Sequence, residues 1–108
     1  MDKINQYRQT ICQFLQDFAN DDPEAQLIFD TKRDRFLVMH LGWRNDYRIY
    51  GCAIQLDLID GKVWIQNNST EIYVDRELIK QGVDAKDIVL GFRSPSVREK
   101  LASILQNK

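Results

Sequence analysis

Histidine, cysteine and proline are scarce in this chain, and neither sign of charge dominates. One histidine, two cysteines and two prolines occur in 108 residues. Cys12 and Cys52 lie far apart, each in an apolar pattern. They are expected to be buried free thiols rather than a disulfide framework. A Cys/His structural zinc site would need a carboxylate or a second chain to complete it. Apolar runs of the roughly 20 residues required to span a bilayer are absent. The opening Met1-Asp2-Lys3-Ile4-Asn5-Gln6 is polar and lacks the apolar core of a signal peptide, so a cytoplasmic location is expected. Fifteen Lys and Arg against sixteen Asp and Glu give a net charge of −1. The basic excess with which a stand-alone DNA-binding module displaces counterions from phosphate is missing. No phosphate-cradling G-x-x-x-x-G-K-[ST] loop is found, and no cofactor is expected.

What is present is an ordinary globular composition, 44% hydrophobic and 29% charged. At this length, residues 1–108 are expected to form one domain around one core. Residues 2–20 read as an amphipathic helix. Ile4, Tyr7, Ile11, Phe14, Leu15 and Phe18 recur at steps of three and four, and Asn20-Asp21-Asp22-Pro23 ends the stripe. Four strands are expected next, over 26–29, 35–43, 47–59 and 62–67, joined by short turns and therefore antiparallel. In the last third, Asp75 is a candidate N-cap and Gly82 a C-cap of a short helix. Asp84 is a candidate cap for a brief turn. Ile88-Val89-Leu90-Gly91-Phe92 reads as a buried extended segment, and Ser94-Pro95 opens a closing helix. The fold class is α+β: an N-terminal helix, a four-stranded antiparallel meander, then helices with one further extended segment.

Asp60-Gly61 is the clearest turn signal, since a two-residue type I′ turn requires positive φ at both centres. It pairs Ile59 with Lys62, Leu58 with Val63, Asp57 with Trp64, Leu56 with Ile65 and Gln55 with Gln66. One face then carries Ile54, Leu56, Leu58, Val63 and Ile65, and is core. The other carries Gln55, Asp57, Trp64 and Gln66, a half-polar surface with one large indole that suits a protein partner. In the strand at 35–43, Phe36, Val38 and His40 alternate with Leu37, Met39, Leu41 and Trp43. Both sets are apolar enough to be covered, and a one-residue slip in the turn at Arg44–Asp46 exchanges them. The core side of this strand therefore stays open. Trp43 joins Trp64, Gln55, Gln66 and Asp57 as a candidate partner-binding residue.

The chemistry-bearing residues are few. Asp57, Asp60 and Glu71 are candidate oxygen ligands for Mg²⁺, with only Lys62 near enough to assist. Asp60 is already required by its turn. His40, between Met39 and Leu41, reads as a packed, hydrogen-bonded ring, because no nucleophile motif accompanies it. Basic residues at Lys32, Arg33, Arg35, Arg44 and Arg48 are interleaved with acids and turn residues and read as solvated surface. No catalytic or metal residue is assigned, and the chain is expected not to be an enzyme.

The runs Gly42-Trp43, Arg48-Ile49-Tyr50-Gly51-Cys52 and Asp57-Leu58-Ile59-Asp60-Gly61-Lys62-Val63-Trp64-Ile65-Gln66-Asn67-Asn68 resemble the XisI-like family, the fdxN-element excision controlling factors of cyanobacteria. The likeness continues through Thr70-Glu71, Glu77-Leu78, Gly82-Val83 and Lys86-Asp87-Ile88-Val89-Leu90-Gly91-Phe92, with Pro95 following. It covers essentially the whole chain. Arg93-Ser94-Pro95 stands where the family often has a His-Pro-Pro-like stretch, and Asp84 where proline is common. The resemblance implies a controlling factor for programmed DNA-element excision. The namesake acts with a companion, XisH, while a separate recombinase, XisF, excises the element during heterocyst development. XisH resembles restriction-endonuclease-like proteins, so nuclease-like chemistry would reside there. The expected partners are an XisH-type protein and a second copy of this chain, with direct nucleic-acid contact left open and no membrane. Alternatives from other classes are a DNA-binding excision directionality factor using Arg44 and Arg48, and a metal-dependent nuclease using Asp57 and Glu71.

Overall fold

The computed structural model describes residues 2–106, with side chains described as far as Leu101. Helix α1 spans Lys3–Ala19, opened by Asp2, whose carboxylate accepts the Ile4 amide. Strands β1 (Ala25–Asp30), β2 (Arg35–Arg44), β3 (Tyr47–Ile59) and β4 (Lys62–Asn68) follow, then α2 (Val74–Lys80), a 3-10 turn at Ala85–Asp87, β5 (Ile88–Leu90) and α3 (Pro95–Gln106). The strands form one sheet in the order β1-β2-β3-β4-β5. The first four make the expected antiparallel meander, and β5 lies parallel to β4. The extended segment near the end of the chain is thus a fifth strand, reached by a crossover through α2, as parallel pairing requires.

The core lies on one face of the sheet. Tyr7, Ile11, Phe14 and Leu15 of α1 bury against Phe36, Val38, Ile54, Leu56, Leu58, Val63 and Ile65, and Val74, Leu78 and Val83 close one side. The open question about β2 is thereby answered. Phe36 pairs with Leu56 and Val38 with Ile54, so Phe36 and Val38 face the helix. The turn after β2 has two residues, Asn45 and Asp46, with φ 55° at Asn45. Asp60 and Gly61 have φ 52° and 79°, the two positive values expected of their turn.

Two expectations are corrected. Gln55 pairs with Asn67, not Gln66, because the register shifts after Leu56–Ile65 and leaves Gln66 as an extra residue. Such a bulge bends the strand and re-aims a side chain; here the Gln66 amide reaches Asp57. Asp75 is not the cap of α2. The helix begins at Val74, with Tyr73 at the N-cap position and no side-chain cap bond. Burying Val74 sets that start, and Asp75 and Glu77 fall in the first turn, where carboxylates suit the helix dipole. Asp84 does cap the 3-10 turn by accepting the Lys86 amide. Cys12 and Cys52 are unbonded and half-buried, and desolvation raises both thiol pKa values. No helix among the described residues is long and apolar enough to cross a membrane.

Candidate partner-binding face

The face of the sheet turned away from α1 has a polar centre. Asp57 is only 3% exposed. Its carboxylate accepts hydrogen bonds from Gln55 Nε2 at 3.2 Å and Gln66 Nε2 at 3.1 Å, and pairs with Arg35 at 3.5 Å. Each partner is placed by the sheet: Arg35 lies opposite Asp57 on β2, Gln55 is two residues along β3, and Gln66 is the bulged residue of β4. A buried carboxylate is tolerated only when its lone pairs are met, and this one is.

Trp64 sits opposite Asp57 and is half-buried. The Arg98 guanidinium of α3 lies over the indole at 5.1 Å from its centroid. The chain leaving β5 passes close by at Gly91, whose amide donates to Ile65 O. A Cβ there would stand 2.6 Å from Gln66 Oε1 and 3.1 Å from Trp64 Cε3. Gly91 is therefore what allows the backbone to lie against Trp64. Ile28, opposite Leu37 on this face, and Val97, the neighbour of Arg98 on α3, are exposed apolar side chains.

Four of the five candidate residues, Gln55, Asp57, Trp64 and Gln66, are brought together here. Trp43 is not. It is eight residues beyond Arg35 on β2, a span of about 27 Å along a strand. There it is 60% exposed, with Arg48 stacked on it at 5.1 Å. Tyr47 and Tyr50 are exposed on the same hairpin arm.

The acids weighed for a metal do not converge. Asp57 is engaged by Arg35 and two amides, Asp60 is in its turn and Glu71 is exposed in the β4–α2 loop. Among the described residues, the group whose ligand atoms lie within 4.8 Å of one another is Asp22, Glu24 and His40. His40 Nε2 is 3.0 Å from Glu24 Oε1, and Glu24 O accepts the Leu41 amide. These bonds hold the start of β1 against β2 and account for the hydrogen-bonded His40 ring. Sequence reading missed this trio. Its signal is the Ala25–His40 register, which brings Glu24 beside His40.

The geometry defines a single-sheet α+β protein with one face covered by helices and the other half-open around a self-satisfied polar centre. The chain belongs to the XisI protein family, whose model matches residues 1–102. It is similar to a XisI-like protein from Anabaena variabilis at 38% identity, over 92% of this chain and 94% of that one, with a TM-score of 0.83. It is also similar to the fdxN element excision controlling factor XisI from Anabaena variabilis, at 34% identity over 90% of this chain and 99% of that one, with a TM-score of 0.75. No curated protein matches the chain.

Proposed function

We propose that this protein is a non-enzymatic accessory factor in excision of a DNA element, acting by binding an XisH-type protein through its half-open sheet face. The observation that carries the reading is the pairing of XisI family membership with that face. An ordered polar centre accompanied by Trp64, Ile28 and Val97 has the make-up of a protein interface: aromatic and aliphatic contact area around hydrogen bonds already satisfied. The net charge of −1 supports a protein partner over phosphate.

Co-expression with the XisH-type protein tests this. A complex that co-elutes on size exclusion, and is weakened by Ile28→Glu or Trp64→Ala while the free variant keeps its unfolding transition, supports the reading. Independent elution of the two wild-type proteins overturns it.

A second reading rests on the β2–β3 arm, where Arg44 and Arg48 flank exposed Trp43 and Tyr47. A two-stranded ribbon of that kind fits a DNA groove. It requires a salt-sensitive mobility shift of element-end DNA that is lost in the Arg44→Ala, Arg48→Ala double variant.

A further inference from the structure

Strand β3 is longer than its neighbour on one side. Of its thirteen residues, Ile54 to Ile59 pair with β4. Cys52 O accepts the Asn67 side-chain amide and Ala53 O accepts the Ser69 N–H. From Tyr47 to Gly51, no strand among the described residues lies on the side away from β2.

The parity of this edge follows from the turn. Arg44 and Tyr47 close a two-residue loop, so Tyr47 directs its N–H and C=O toward β2, as do Ile49 and Gly51. Arg48, Tyr50 and Cys52 direct theirs outward, in keeping with Cys52 O being met from the β4 side. Natural sheet edges are normally blunted by lysine, proline or inward-pointing charge. Tyr47-Arg48-Ile49-Tyr50-Gly51-Cys52-Ala53 contains no lysine, proline or acid.

We propose that the chain forms a two-fold dimer by antiparallel pairing of this edge with itself, centred on Tyr50. In that register Tyr50 bonds to the partner's Tyr50, Arg48 lies opposite the partner's Cys52, whose carbonyl also accepts the Asn67 amide, and no like charges oppose. The side chains are complementary in size. Residues 47–49 are bulky and residues 51–53 are small. Self-pairing places Ile49 opposite the partner's Gly51, a non-hydrogen-bonded position where cross-strand side chains approach most closely. Tyr47 falls beside the partner's Ala53, the extra residue of the β2–β3 bulge, whose carbonyl is already met by Ser69.

The room for them is present. A groove of about 350 Å³ runs along the edge on the α1 side, lined by Phe18, His40, Ile49, Gly51, Ala53 and Thr70 among others. A Cβ at Gly51 would meet nothing within 4 Å. The partner's Ile49 and Tyr47 fill this space, and Tyr47, 76% exposed in the single chain, becomes covered. A two-fold axis normal to the sheet keeps faces together. The dimer is a ten-stranded sheet with both α1 helices on one side and both Trp64 faces on the other. This inference does not depend on the excision reading.

Light scattering on the purified full chain across a dilution series reads the mass directly. Twice the chain mass is expected at high concentration; one chain mass throughout overturns the proposal. Tyr50→Pro removes an outward N–H that the fold does not use, and is expected to give a monomer with an intact unfolding transition. Should that variant fail to fold, Ile49→Lys serves the same purpose. A dimer that persists in a folded variant of either kind counts against the edge. Position is tested by cysteine cross-linking in a Cys12→Ser, Cys52→Ser background. Cα atoms of a paired Tyr50 lie about 5.5 Å apart, within disulfide reach. Those of Tyr47 lie about 20 Å apart. Mild oxidation should dimerise Tyr50→Cys and leave Tyr47→Cys monomeric. Any other pattern overturns the register.

Discussion

The Tyr7 hydroxyl donates to Asp87 Oδ2 at 2.6 Å, joining side chains 80 positions apart. Lys3 Nζ reaches the same oxygen at 2.6 Å, and the Asp84 amide donates to the Tyr7 oxygen at 3.2 Å. Asp87 is 7% exposed. These bonds tie the first turns of α1 to the segment that leads into β5.

Because it is hydrogen-bonded to Lys3 first and Tyr7 second, Asp87 titrates below its ordinary 3.8. A carboxyl with a lowered folded-state pKa stabilises the fold at pH values above 3.8, and that contribution fades as pH falls through the lower folded value. Urea midpoints for the wild type should therefore drop more steeply below pH 4 than those of Asp87→Asn. Tyr7→Phe should cost about 1.5–3 kcal/mol at neutral pH, the range for a hydrogen bond to a charged group. Chemical denaturation compared with wild type checks it.

Gly91→Ala forces a methyl group against Gln66 and Trp64. Either the Gln66 amide leaves Asp57 or the end of β5 moves. The expected loss is about 1–3 kcal/mol, the usual cost of overpacking. Trp64 fluorescence should shift in the native state as Arg98 and the indole separate. An unchanged spectrum and midpoint would contradict the close approach at Gly91.

Asp57→Ala removes the acceptor shared by Gln55, Gln66 and Arg35. Stranding the two amides should cost about 1–3 kcal/mol. Arg35 is nearly half exposed, so its own coupling to Asp57 should fall below about 1 kcal/mol. A double-mutant cycle of Asp57→Ala and Arg35→Ala measures that term. A coupling well above it would place the energy of the site in the ion pair.

Leu56→Ala opens a cavity between α1 and the middle of the sheet, where Leu56 is fully buried. About 2–5 kcal/mol should be lost. Alanine at exposed Ile28, which pairs with Leu37 on the opposite face, should shift the urea midpoint far less, and this contrast tests which face of the sheet is core.

Those signals that act within a few residues were legible in the sequence. The apolar stripe of α1, the Asp60-Gly61 turn with its two positive φ values, and the core face Ile54, Leu56, Leu58, Val63 and Ile65 all reflect local geometry. Sidedness of β2 was not legible, because both of its alternating sets are apolar and only the pairing of Phe36 with Leu56 separates them. Gln66 gave no sign of being a bulge; glutamine is compatible with a regular strand, and what re-aims it is the Asp57 carboxylate nine residues away. The site was legible where alternation alone brings residues together, as for Gln55, Asp57 and Trp64. It failed at Trp43, since alternation predicts a shared face and says nothing of distance along the strand. The trio Asp22, Glu24 and His40 depends on strand register across a turn, which no single spacing reveals.

Parallel placement of β5 has a consequence for synthesis of the chain. A ribosome delivers α1 and the meander ahead of β5, and the hairpins can close as they emerge. The buried hydroxyl of Tyr7 must wait for Asp84 and Asp87, and β4 keeps an open border until Ile88 to Leu90 arrive. Helix α1 is thus completed only when Asp84 and Asp87 arrive. A nascent chain halted before position 84 would hold most of its apolar core yet lack the latch that joins α1 to the segment leading into β5.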